Sequence, residues 1–142
     1  MVVADLLYAQ NMAIATQKWH YVKFDRAGDK YSIHNAEPTT ATTALIQHPL
    51  TKENYVVTLG GTNGRTAGIL IHDTDTKFDG VDALYATLDT IAFDELGQPW
   101  VWHPTGSPDK TDNLQTGKVV ITCGQHRVTV SVERFTGEIS VN

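Results

Sequence analysis

The sequence carries a single cysteine, Cys123, among 142 residues, which excludes an internal disulfide and any cysteine-built zinc site. No run of about 18 apolar residues occurs, so no segment reads as a membrane-spanning helix. Met1 leads into a short amphipathic stretch without the charged start and apolar core of a signal peptide, and the chain as it stands reads as soluble. Basic residues are in the minority: 11 Lys and Arg against 16 Asp and Glu give a formal net charge of −5. No global positive field is available to gather nucleic acid or anionic lipid. What remains, at 41% hydrophobic and 19% charged residues, is the composition of one ordinary globular domain large enough to bury its own core.

The stretch from Val3 to Lys18 lacks Gly and Pro, is rich in helix formers and repeats apolar residues at Val3, Leu6, Leu7, Ala13 and Ile14. These predict an amphipathic helix whose stripe covers the rest of the domain, with Tyr8 and Met12 on the opposite side. Beyond Trp19 the period changes to two. His20, Val22 and Phe24 alternate with Tyr21 and Lys23 up to the turn Arg26-Ala27-Gly28-Asp29, and Tyr31 and Ile33 continue as the partner strand.

Residues 35–54 are Thr-rich with two prolines and read mostly as loop. Strands are expected at Tyr55 to Leu59 and Gly68 to His72, followed by an acidic segment, Asp73 to Asp82, and an ambiguous Val81 to Leu88 that reads as a helical turn. Thr90 to Asp94, the turn Glu95-Leu96-Gly97 and Trp100 to Trp102 precede a loop from His103 to Gly117. Three closing strands then form an antiparallel meander, with Val128, Val130 and Val132 alternating and Ile139 and Val141 following the Thr136-Gly137 turn. Cys123 ends the alternation Val119, Ile121, Cys123, which predicts a buried, inert thiol.

Signs of site chemistry are sparse. Asp73, Asp75 and Asp79 could offer oxygen ligands to calcium. Their spacing lacks the glycine and the twelfth acidic residue of the helix-loop-helix calcium pattern, so a solvated acidic loop is the expectation. Gly60 to Thr66 is one residue short of a phosphate-cradling loop and has Arg65 where lysine belongs. The six histidines, His20, His34, His48, His72, His103 and His126, include no pair at zinc-helix spacing. No serine sits in a Gly-x-Ser-x-Gly elbow. Trp100 and Trp102 share a strand face, either as sheet packing or as an exposed aromatic shelf for a sugar or partner chain. Nothing points to an enzyme or to a bound cofactor.

Three stretches carry a resemblance: Ala4 to Ile14 running through Val22-Lys23-Phe24-Asp25 to the Gly28 turn; Ile91-Ala92-Phe93-Asp94-Glu95-Leu96-Gly97-Gln98-Pro99; and the closing hairpins ending Phe135-Thr136-Gly137-Glu138-Ile139-Ser140-Val141. In order and spacing they resemble the H-type pseudopilins of type II secretion systems and the related FimT-like minor pilins of type IV pili. The resemblance implies an α+β fold, with an N-terminal α-helix packed on an antiparallel β-rich head of two sheets. Residues 1–18 would be the head-proximal half of a longer helix, and 19–142 the head.

Such proteins begin with a basic leader and an apolar half-helix, and the expectation is that both preceded Val2, with Met1 standing at a cut. The implied role is that of a structural minor subunit acting by assembly with other pilin or pseudopilin subunits and inner-membrane machinery. The full-length protein would be N-terminally methylated and anchored in a bacterial inner membrane with a periplasmic head, or assembled in an extracytoplasmic filament. Tyr8 and Met12 would then face neighbouring helices. The alternative is an extracytoplasmic ligand-binding or DNA-binding head, using residues 35–90 or the C-terminal hairpin. Some FimT-like pilins bind DNA through basic residues there, but Lys118, Arg127 and Arg134 are accompanied here by Glu133 and Glu138, and the net negative charge argues against DNA.

Overall fold

A computed structural model describes residues 2–37, 42–59, 69–78, 90–100 and 114–142. The expected helix is α1 (Val2–Thr16). Its end is built rather than frayed: Gln17 takes the left-handed conformation at φ 53°, and the Lys18 amide donates back to the Ala13 carbonyl at 3.3 Å. That six-to-one closure satisfies a carbonyl the helix would otherwise leave open. The chain then enters β1 (Trp19–Asp25), turns, and returns as β2 (Lys30–Glu37).

The remaining strands are β3 (Thr42–Leu45), β4 (Val56–Thr58), β5 (Ile69–Phe78), β6 (Thr90–Phe93), β7 (Pro99–Trp100), β8 (Leu114–Cys123), β9 (His126–Val132) and β10 (Ile139–Val141). Among the described residues they form two antiparallel sheets. The first runs β3-β2-β1-β6-β7, with β4 beside the N-terminal half of β2, and the second runs β10-β9-β8-β5. The chain thus has the α+β architecture its sequence resembles: one N-terminal helix on a two-sheet antiparallel head.

Because side chains alternate along a strand, β1 and β2 have an inner and an outer face. The inner face presents Val22, Phe24, Tyr31 and Ile33, joined by Ile91 and Phe93 of β6. Against it pack Val2, Leu6, Ala9 and Ala13 of α1, and Val119, Val130 and Val132 of the second sheet. Ala9 and Ala13 are fully buried, and small residues there let the helix lie close on the strands. Each large apolar side chain so buried contributes roughly 1.5–3 kcal/mol.

The outer face is ordered in cross-strand rows. One row is Ala92, Tyr21, His34, Leu45 and the next is Thr90, Lys23, Ser32, Val56. Trp19, Tyr21, Ala92 and Trp100 make a separate buried cluster on this face.

Several expectations are corrected. The 35–54 region is not mostly loop, since Thr42–Leu45 pairs with β2. Threonine, at two of its four positions, favours a pleated surface when a partner strand is present, whatever the surrounding turn residues suggest. The acidic segment begins inside β5, which continues through Phe78 and pairs with β8 across two register shifts. Cys123 is exposed: the β8–β9 hairpin runs beyond the core, so burial that holds at Val119 and Val130 has ended by Cys123 and Val128. The loop expected from His103 to Gly117 ends earlier, since Leu114 to Gly117 belong to β8. The rest of that loop, the expected turn at 81–88, Trp102 and the Gly60 to Thr66 segment lie outside the described residues. Among the described residues no helix is long and apolar enough to cross a membrane.

Candidate functional site

Of the fifteen residues of α1, Asp5 alone is charged, and it faces the sheet. Its carboxylate accepts the phenol hydroxyls of Tyr31 and, at 2.7 Å, of Tyr55. Burial, reinforced by the hydrogen bond to Asp5, pushes both phenols above their usual range, so they remain protonated donors. Tyr8 stacks on Tyr55 with centroids 5.5 Å apart, and the His48 ring also meets Tyr55, at 4.7 Å.

One turn further along, Gln10 Nε2 donates to the carbonyls of Gly97 (2.9 Å) and Gly137 (3.4 Å). Gln17 Nε2 reaches the carbonyl of Glu95 at 3.2 Å. The helix is thereby tied to two turns, both of which need glycine. Gly97 and Gly137 have φ of 78° and 71°, and a Cβ at Gly137 would stand 2.5 Å from Gln10 Nε2 and 2.9 Å from the Gly97 carbonyl oxygen. The first turn is held by buried Asp94, whose carboxylate accepts the Leu96 and Gln98 amides and the Trp100 indole N–H, each at 2.9 Å.

This seating fixes what the helix shows outward. Leu7 and Ile14 are 42% and 44% exposed, and Leu96 and Phe135, on the turns held by Gln10, are 82% and 58% exposed. Ala4, Asn11 and Ala15 complete the outward stripe. The expectation that Leu7 and Ile14 cover the sheet is overturned: the buried series is Val2, Leu6, Ala9 and Ala13. The expected stripe shares Leu6 and Ala13 with the real seat but passes over Ala9, where close packing selects alanine at the contact. Tyr8 and Met12 are half-buried and flank the outward stripe, with Tyr8 against Tyr55. The signal that marks the outward face in the sequence is the lack of charge on it.

The other candidates lie apart. Asp73 and Asp75 are in β5, opposite Val120 and Lys118, and Asp79 lies outside the described residues. Among the described residues no three His, Cys, Asp or Glu gather as a metal site. Trp100 is 93% buried, with its indole on Asp94, and so forms no exposed shelf. Lys118 and Arg127 are exposed on β8 and β9, while Arg134 lies over the Phe135 ring at 4.3 Å. Glu133 beside them is occupied with its own turn, accepting from the Phe135 and Thr136 amides and the Thr136 hydroxyl.

No family model matches the chain, and no curated protein matches it. Among solved structures, two of the minor pseudopilin EpsH from the type 2 secretion system of Vibrio cholerae are similar. One is 12% identical with a TM-score of 0.59, the match covering 99% of this chain and 90% of that one. The other is 11% identical at the same TM-score, covering 99% and 87%. The fold is therefore that of the minor pseudopilins.

Proposed function

We propose that this chain is the head and adjoining helix of a minor subunit of a type II secretion pseudopilus or a related type IV pilus-like filament, working by assembly rather than catalysis. The observation that carries this reading is the inverted charge pattern of α1. A helix that ends its packing at its own domain keeps charged residues on the solvent side. This one turns its only carboxylate inward and presents Leu7, Ile14, Ala4 and Ala15 outward. Such a face suits another apolar helix better than water.

The shared fold with a pseudopilin supports the same reading. The partners would be further pilin or pseudopilin subunits and the inner-membrane machinery that inserts them. Contacts between unlike patches of successive copies would generate an open filament. Leu7 and Ile14 would lie at the centre of the helix contact, with Tyr8 and Met12 at its border. The head would stand outside the cytoplasm.

The test is Leu7→Lys introduced into the full-length protein in its own cell. The isolated chain should melt within about 2 °C of the parent, as surface substitutions do, while recovery of the subunit in sheared filaments is lost. Normal incorporation of the lysine variant would refute the assignment.

A further inference from the structure

On the outer face of the first sheet, away from α1, lies an open groove of about 530 Å³. Its floor is the cross-strand grid. Lys23 on β1 stands directly opposite Ser32 on β2, and His34 stands two residues along from Ser32, opposite Tyr21. Residues so placed are about 5 Å apart across the sheet and about 7 Å apart along it. Leu45 of β3 and Val56 of β4, 38% and 45% exposed, wall one side.

The polar groups are organised rather than scattered. Ser32 Oγ and His34 Nε2 are 2.8 Å apart, and the His34 ring lies nearly parallel to that of Tyr21, centroids 4.6 Å apart at 9°. Stacked and bonded, His34 cannot swing. At the hairpin end Lys30 pairs with Asp25 at 3.6 Å. Lys23 has no ion-pair partner among the described residues. Two ammonium groups therefore face one carboxylate, in a protein whose net charge is −5.

We propose that this groove binds a small organic carboxylate with a compact apolar body. The Lys23 ammonium supplies the counter-charge as a point donor. With the His34 proton on Nε2, the imidazole donates to Ser32 Oγ, and the serine hydroxyl proton is left free for the second carboxylate oxygen. Leu45 and Val56 cover the apolar part. The volume falls within the range of small-molecule sites, which combine apolar walls with a few placed polar groups.

A nucleophilic role for Ser32 is the weaker chemistry. Burial, with Lys23 adding to it, takes His34 down to about 4, and so weak a base draws a serine proton poorly. The same depression keeps His34 neutral at physiological pH.

The experiment is an amide NMR titration of the chain at pH 7 with benzoate, benzamide and inorganic phosphate as probes. Benzoate should shift the Ser32 and His34 amides saturably, with benzamide and phosphate each at least roughly tenfold weaker, the loss expected for removing a charge-assisted bond or the apolar contact. Lys23→Gln, a change at an exposed position, should weaken benzoate by a similar factor and leave the distant resonances unmoved. Equal binding of benzamide, equal binding of phosphate, shifts that never saturate, or full benzoate affinity in Lys23→Gln would each overturn the proposal. None of these outcomes bears on filament assembly, which rests on the helix.

Discussion

The two faces of the first sheet handle polar groups in opposite ways. On the inner face, the polar groups that enter the apolar layer arrive with partners: Asp5 takes two phenols, and Gln10, above it, takes two turn carbonyls. On the outer face Lys23 has no counter-ion and buried Trp19 Nε1 has no acceptor, both among the described residues, and His34 is held where its charged form is disfavoured. The inner face is finished by folding. The outer face carries charge and donors that folding alone does not use, and unpaired donors beside an apolar wall are what a binding surface needs.

The largest expected effect separates two neighbouring residues of β1. Phe24, on the inner face and 99% buried, should cost about 3–5 kcal/mol when changed to alanine. Lys23→Ala, on the outer face, should stay within about 0.5 kcal/mol. Urea unfolding of the two variants reads the difference directly, and comparable losses would erase the distinction between the faces.

A smaller effect sharpens the comparison through pH. The folded state depresses His34 from 6.5 to about 4, so between those values the unfolded chain binds more protons, and stability falls as pH drops through that window. Below about 4 the loss levels off. With the ring partly exposed, solvent screening leaves about 1–2 kcal/mol of the effect. His20 is depressed in the same direction, chiefly by burial. Unfolding free energies at pH 7, 5.5 and 4.5 should therefore decline less steeply in His34→Gln than in the parent. Parallel declines would mean that His34 is not held neutral by the fold.

Much of the skeleton was legible from local signals. The absence of Gly and Pro marks α1, the period of two marks β1 and β2, and glycine marks the turns at Gly97 and Gly137, which the structure shows at positive φ. The seat of the helix was only partly legible: the apolar stripe included Leu6 and Ala13 but missed Ala9, whose value lies in closeness, and took in Leu7 and Ile14, which are exposed. Strand β3 was hidden because Thr42–Leu45 shows no alternation of its own and is defined by pairing with β2. The groove could not be read at all. Lys23, Ser32 and His34 have no motif in common, and only the register of β1 on β2 makes them neighbours.

The bond from Gln10 to Gly97 spans 87 residues and the bond to Gly137 spans 127. Closing so long a loop costs more entropy than forming the β1–β2 hairpin. The lock therefore closes late, on the native side of the folding barrier. Gln10→Ala should lose about 1 kcal/mol, with the unfolding rate raised and the refolding rate nearly unchanged; slowed refolding would instead place the lock in the nucleus. Asp5 and the apolar series set α1 on the sheet, and Gln10 then works as a clasp that joins the helix to two turns far from it along the chain.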